Sequence, residues 1–180
     1  MEHRTPESLL EQGRNAKSGR RPKDARSAFR EALTHCHGSE DGPLVATLYE
    51  ELAYVERNLR DLESAERHYR KASQLYSRLD NPLKTAHTIR HAADILREQN
   101  KRDESALLYA EALEIYRNDP ETPPLDLANA IRGFALLKED LGDREQAILL
   151  WREAGKLYEL TGTEAGVVES KRRIGLLAGE

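Results

Sequence analysis

The amino-acid sequence contains four copies of one pattern, spaced 40 to 42 residues apart. Each copy has a small residue followed, twelve positions later, by a second small residue; the pairs are Gly13 and Ala25, Ala53 and Ala65, Ala93 and Ser105, and Ala135 and Ala147. A fixed period of roughly 20 to 50 residues is typical of proteins built from stacked structural units. We therefore expect a row of similar units.

The second half of each copy places small and aromatic residues in alternation, at a spacing of four, three and four residues. Four residues after the second small residue stand Phe29, Tyr69, Tyr109 and Trp151; alanines follow at 32, 72, 112 and 154, and then Cys36, Tyr76, Tyr116 and Tyr158. Residues three and four apart share one face of an α-helix, so the spacing predicts a helix with a buried stripe. Most of the aromatic residues of the chain fall in these two columns.

The first half of each copy predicts a second helix that packs against this stripe. Its small residue is preceded, four positions earlier, by a large one: Leu9, Tyr49, Ile89 or Ile131. Turn-forming residues separate the two halves, and Pro43, Pro82 and Pro124 stand where the next first helix begins, a position that suits proline. No run alternates apolar and polar residues in the manner of a strand. Each copy is thus expected to be a helical hairpin.

The columns resemble the tetratricopeptide repeat, and the long period is similar to that of kinesin light chains. The stretches TAHTIRHAADILRE (85–98) and LANAIRGFALLKED (127–140) show the likeness between copies. The resemblance implies an all-α, right-handed superhelical solenoid of four helix-turn-helix repeats, with a C-terminal capping helix. We expect a single domain, 1–180, with repeats at 5–38, 43–79, 82–117 and 124–160 and the capping helix at 163–178. Such a fold implies a concave groove lined by first helices that holds a peptide or protein segment.

Composition narrows the functional classes. The net charge is −4, with 33% charged residues, so the chain lacks the basic field that attracts nucleic acid. A single cysteine, Cys36, excludes an internal disulfide framework and indicates a reducing, cytoplasmic setting. No stretch approaches the ~20 apolar residues that span a bilayer, and the start of the chain lacks a secretory signal. A membrane or nucleic-acid partner is not expected.

The resemblance directs attention to exposed positions of the first helices. The predicted peptide-binding residues are Tyr54, Arg57, His87, Arg90, Asp94, Arg97, Asn129 and Arg132. A guanidinium donates two parallel hydrogen bonds to a carboxylate, and an amide such as that of Asn129 can pair with an extended backbone, so a partner with acidic groups is expected. The structural alternative is pairing along one helix, between Arg90 and Asp94 or between Arg57 and Asp61.

Other reactive residues give weaker signals. His87, His91 and Asp94 have a spacing that could present ligands to a metal, but zinc requires three or four converging ligands. His35, Cys36 and His37 are adjacent and point in different directions on a helix, so a packed thiol is the better interpretation of Cys36. No combination of acid, base and nucleophile, and no cofactor fingerprint, is present. The sequence therefore predicts neither an enzyme nor a bound metal or cofactor.

Three functional hypotheses follow. The leading one is a noncatalytic scaffold that binds a protein or peptide segment in the groove. The alternative is a self-associating structural or sensory module that uses the terminal helix, since apolar residues cluster there; they are Val167, Val168, Ile174, Leu176 and Leu177. Recognition of RNA by the helical repeat is a third hypothesis.

Overall fold

The structure, a computed structural model, describes residues 4–36 and 42–179. These two ranges contain nine α-helices and no strand: α1 Pro6–Ser18, α2 Pro22–His35, α3 Pro43–Asn58, α4 Leu62–Arg78, α5 Pro82–Glu98, α6 Arg102–Asn118, α7 Pro124–Asp140, α8 Arg144–Leu160 and α9 Glu164–Ala178. The predicted all-α class and helix-turn-helix repeats are confirmed. The predicted end of the first repeat, at residue 38, lies outside the described residues, as does His37.

Side chains and prolines fix where the helices begin. The hydroxyl of Thr5 accepts the Ser8 amide proton at the start of α1. Asp61 and Asp143 cap α4 and α8 in the same way, each accepting a backbone N–H three residues later. The predicted proline starts at residues 43, 82 and 124 are confirmed.

A left-handed residue ends each first helix at the same place in the repeat. Arg20, Arg60, Asn100 and Gly142 have φ values of 55°, 64°, 62° and 76°. The residue after each donates its N–H to a carbonyl five residues earlier, as Asp61 does to Glu56 at 2.9 Å. This bond satisfies a terminal carbonyl of the helix and reverses the chain. The repeated turn is what makes each pair of helices a hairpin.

The chain divides into two compact units, an N-terminal unit of residues 1–95 and a C-terminal unit of residues 96–180, with the boundary inside α5. In the N-terminal unit the predicted stripes are buried: Phe29, Tyr69, Ala72 and Tyr76 lie in the core, together with large first-helix residues such as Leu9. Cys36 is half-buried and packs against this core, and burial raises the pKa of its thiol. The packed-thiol interpretation agrees with this position.

The C-terminal unit buries the equivalent side chains, Tyr109, Tyr116, Trp151 and Tyr158. Two glycines inside its helices allow aromatic rings to approach. A Cβ on Gly133 would stand 2.7 Å from the Tyr109 ring, and one on Gly166 would stand 2.4 Å from the Tyr158 ring. The last described helix, α9, packs on α8 where the capping helix was predicted. That the whole chain forms a single domain stays a prediction.

None of the helices in the described ranges is long and apolar enough to cross a membrane.

Candidate peptide-binding faces

The predicted binding residues fall on both units. Five of them, Tyr54, Arg57, His87, Arg90 and Asp94, belong to the N-terminal unit, and Arg97, Asn129 and Arg132 belong to the C-terminal unit. We call the surface of α1, α3 and α5 around the first five residues the N-terminal face. The surface of α7 and α9 around Asn129 and Arg132 is the C-terminal face.

Ion pairs between successive first helices build the start of the N-terminal face. Arg14 and Lys17 of α1 both donate to the carboxylate of Glu51 on α3, with Arg14 Nε 2.8 Å from Glu51 Oε1. Lys17 Nζ also lies 4.9 Å from the centre of the Tyr54 ring, a cation–π arrangement. The contacts place Tyr54 beside a cation while leaving 45% of the residue exposed.

Arg57 continues the pattern from α3 to α5. Its Nη1 lies 3.5 Å from Asp94 Oδ2, and its side chain is 28% exposed. This ion pair joins Arg57 to the neighbouring first helix. The carboxylate of Asp61 caps α4.

Arg90, His91 and Asp94 form a compact cluster on α5. Arg90 donates to Asp94 at 3.2 Å, which is the pairing along one helix that the sequence offered as an alternative. Its other terminal nitrogen lies 2.7 Å from Nε2 of His91, and the side chain is only 13% exposed. The side chain of Arg90 is thus mostly buried, and little of its guanidinium is accessible to a ligand.

The two histidines of α5 are held neutral. Their ring centres are 4.6 Å apart, and the His91 ring stacks on Tyr69 at 5.1 Å. Burial, with the nearby positive charge of Arg90, lowers the pKa of His87 to about 3; burial also lowers the pKa of His91. The described residues include no group of three or more His, Cys, Asp or Glu side chains that could hold a metal ion.

Three side chains contact the carboxylate of Glu50 at the edge of this cluster. Tyr76 donates its hydroxyl at 2.7 Å, Lys84 Nζ lies 3.2 Å from the carboxylate, and His87 Nε2 lies 3.5 Å from it. Burial raises the pKa of Tyr76, so its hydroxyl stays protonated and remains a donor. Glu50 is thereby fixed in place and its charge is compensated within the protein.

The C-terminal face has a bidentate ion pair at its centre. Arg132 of α7 donates from two nitrogens to Glu169 of α9, at 2.7 and 2.9 Å. These hydrogen bonds hold the pKa of Glu169 below its usual value. Asn129 accepts the hydroxyl proton of Tyr158 at 2.9 Å, and Arg97 donates to Asp140 at 3.0 Å. The predicted residues of this unit are thus linked to other elements of the protein.

Sequence reasoning missed several contacts that shape these surfaces. It did not find that Arg14 and Lys17 pair with Glu51 across helices, at separations of 37 and 34 residues. It also missed Glu56, a fully buried carboxylate that accepts from Arg30 at 2.9 Å and contacts Nδ1 of His68 at 2.6 Å. The only signal in the sequence was the polar residue itself at a column where the other copies have Ala16, Leu96 and Lys138.

Comparison with known proteins shows which repeat family the chain resembles. The family model of the tetratricopeptide repeat matches residues 44–118. Over this stretch the chain is similar to the tetratricopeptide repeat. Comparison of the sequence with curated proteins finds no match.

Solved structures show the same fold over nearly the whole chain. BtubC (BKLC) from P. vanneervenii has a TM-score of 0.75 at 22% identity, covering 97% of this chain and 65% of that one. A Rap protein complexed with competence and sporulation factor has a TM-score of 0.72 at 16% identity, covering 97% and 54%. MamA has a TM-score of 0.70 at 17% identity, covering 88% and 81%. The predicted resemblance to tetratricopeptide repeat proteins is confirmed; the chain spans less than two-thirds of the BtubC and Rap chains.

Proposed function

We propose that the chain is a noncatalytic scaffold that binds a segment of another protein on the N-terminal face. The observation that carries the proposal is the exposed ring of Tyr54, which has the Lys17 ammonium 4.9 Å from its centre and Arg57 three residues further along the same helix. Tyrosine and arginine are enriched among the residues that supply most of the free energy of protein binding. A partner side chain packed on Tyr54 removes apolar area from water, and the neighbouring cations give that contact an orientation.

The charged side chains of this face favour an acidic partner. The ion pairs of this face join five basic to three acidic side chains: Arg14, Lys17, Arg57, Lys84 and Arg90 with Glu50, Glu51 and Asp94. Within these pairs the positive charges exceed the negative ones by two, whereas the whole chain has a net charge of −4. Such a local reversal steers acidic segments to the face and accelerates their association at low ionic strength.

The relatives support a protein or peptide as the partner. The Rap structure that shares this fold is complexed with competence and sporulation factor. Fold likeness alone does not carry a function from one protein to another, and the chemistry of the face is what supports a protein partner here. The polar groups there neutralise one another, as Glu50 and Asp94 do with their cationic neighbours, and this favours binding without catalysis. A single, packed Cys36 supports a cytoplasmic setting.

The alternative of self-association through a pair of α9 helices is less favoured. Lys171 and Arg172 are exposed on α9, and a symmetric pair would bring these like charges together.

To test the proposal, peptides that bind the protein are first selected from a random peptide library. The selected peptides are then measured by fluorescence anisotropy against the wild type, Tyr54→Ala and Arg57→Glu. We expect acidic peptides whose affinity falls by about tenfold in either variant. Lys23→Glu is the matched control, because it reverses an exposed charge on a second helix and leaves the face intact.

Two results would count against the proposal. The first is a library that yields no peptide. The second is a set of peptides that bind the folded Tyr54→Ala and Arg57→Glu proteins as tightly as the wild type.

A further inference from the structure

Two leucines of the C-terminal unit are exposed at the same position of successive repeats. Leu107 of α6 is 71% exposed, and Leu149 of α8 is 55% exposed. Each stands two residues after the second small residue of its repeat, where the N-terminal unit has the polar residues Ser27 and Arg67. The apolar side chain at this position is therefore a property of the C-terminal unit and not of the repeat.

The two leucines lie on one surface. The helices α6 and α8 both pack against α7, and Arg117 of α6 donates to Glu153 of α8 at 3.0 Å. As equivalent helices of successive repeats, α6 and α8 point in the same direction. We call the outer surface of these two helices around Leu107 and Leu149 the α6–α8 face. Apolar side chains exposed together on neighbouring helices indicate an interaction surface, whereas single scattered ones do not.

The two helices of this face carry opposite charges in the two turns after the leucines. On α6, Glu111 and Glu114 follow the leucine by four and seven residues, so they lie on its side of the helix. On α8, Arg152 and Lys156 follow the leucine by three and seven residues. All four are exposed, and none makes an ion pair within the part of the chain that the structure describes. The remaining charge of these turns, Glu153, is compensated by its ion pair with α6.

A second copy of the chain compensates the charges of both helices at once. A two-fold axis that runs along the helices, in the plane of the face, places α6 of each copy on α8 of the other. Because the leucines share one repeat position, Leu107 then meets Leu149 of the second copy, and Glu114 comes opposite Lys156. Each of these contacts occurs twice. A partner of a single charge sign would instead be attracted by one helix and repelled by the other.

We propose that the chain forms a two-fold symmetric dimer through the α6–α8 face, with the leucines at its centre and the α6 carboxylates paired with the α8 cations of the second copy. Two 17-residue helices present an area of roughly 26 by 20 Å, or about 1,000 Å² for both copies together. This area is near the lower limit for a specific interface, so the dimer should be reversible, with a dissociation constant in the micromolar range. The face shares no residue with α9 or with the N-terminal face.

Sedimentation velocity of the full-length protein at low salt, from about 5 to 500 µM, measures the association. We expect the average mass to rise with concentration from that of the monomer toward twice that value. Leu107→Asp and Leu149→Asp should each weaken dimerisation by at least about tenfold, because each places a charge in both apolar contacts. Leu125→Asp is the matched control, since Leu125 is exposed on α7, outside the face.

Charge reversal tests the two-fold arrangement. Glu111→Lys with Glu114→Lys makes α6 basic, and Arg152→Glu with Lys156→Glu makes α8 acidic. Each double variant alone should dimerise at least about tenfold more weakly than the wild type, because like charges then meet in both contacts. An equimolar mixture of the two double variants should dimerise as the wild type does, because every contact again joins opposite charges. All four positions are exposed, so the variants should keep the fold, and circular dichroism checks this.

Three results would overturn the proposal. The first is a wild-type protein that stays monomeric up to about 500 µM. The second is a dimer that neither aspartate variant weakens, and the third is a mixture of the double variants that does not recover. Tyr54→Ala should dimerise as the wild type does, so failure of this proposal does not bear on peptide binding by the N-terminal face.

Discussion

The ring of Phe29 lies against Gly13 so closely that a Cβ on residue 13 would stand 2.2 Å from the nearest ring carbon. Both residues belong to the columns that define the repeat. We expect Gly13→Ala to lower the free energy of unfolding by about 1 to 3 kcal/mol, because the ring must move within a packed core. Urea denaturation measures the change.

Gly175→Ala is the matched control for this prediction. Residue 175 also lies inside a helix, but no atom stands within 4 Å of the place of its Cβ. The alanine should therefore stabilise α9, by up to about 1 kcal/mol. Hydrogen exchange of the α9 amides reports this gain. Similar destabilisation by both alanines would contradict the assigned register.

The buried carboxylate of Glu56 should couple strongly to His68. Glu56 is fully buried and its two oxygens contact Arg30 and His68. Because Arg30 and His68 reach solvent, Glu56→Ala leaves no buried unpaired charge; the loss of the charge-assisted hydrogen bonds should still destabilise the protein by about 1.5 to 3 kcal/mol. A double-mutant cycle with His68→Ala should give a coupling of about 1 to 3 kcal/mol in the free energy of unfolding. Additive effects would show that the contact contributes nothing.

Acid should destabilise the N-terminal unit through His87. Its pKa is about 3 in the folded protein and 6.5 as a model value, so the unfolded chain binds the proton first as the pH falls. The contribution of His87 to the free energy of unfolding is fully present above pH 6.5. Below that pH it decreases by about 1.4 kcal/mol per pH unit, toward pH 3. Glu50 and Asp94 face the ring and oppose the shift, while Arg90 and Lys84 add to it.

His87→Gln separates this effect from the titration of carboxylates. The glutamine carries no proton in this range, so its free energy of unfolding should vary less between pH 6.5 and 4.5 than that of the wild type. Urea titrations at several pH values measure both slopes. Identical slopes would mean that His87 titrates as an exposed histidine does.

Arg132 and Glu169 should contribute modestly to stability. The pair is bidentate but partly exposed, and exposed pairs typically supply about 0.2 to 1 kcal/mol. A double-mutant cycle with Arg132→Ala and Glu169→Ala should give a coupling in this range that shrinks as salt is added. Since the pKa of Glu169 is lowered in the folded protein, the coupling is present above its unfolded pKa and is lost as the pH falls through the folded value. A coupling that salt leaves unchanged would contradict this account.

The hairpins could be predicted because their signals are local. Proline at the start of a helix, an aspartate cap and the spacing of Tyr69, Ala72 and Tyr76 depend only on nearby residues. The shared register of four copies then fixed which faces are buried. Closely packed pairs such as Gly13 and Phe29 follow from the same columns.

The details of the faces could not be predicted because they depend on how neighbouring helices are staggered. Arg57 meets Asp94 across 37 residues, and nothing near Arg57 in the sequence distinguishes this partner from Asp61. The burial of Arg90 has a similar origin, since the rings and carboxylates around it come from packed elements. Among the predicted residues, Tyr54 is the one whose exposure best suits a binding anchor.

The most direct test of the proposed scaffold is to map a selected acidic peptide onto the isotope-labelled protein by chemical-shift perturbation of the backbone amides. The account predicts that the largest shifts fall on α1, α3 and the first part of α5, centred on Tyr54 and Arg57, and that they vanish in Tyr54→Ala. Shifts confined to the second helices α2 and α4, or unchanged shifts in that variant, would contradict it.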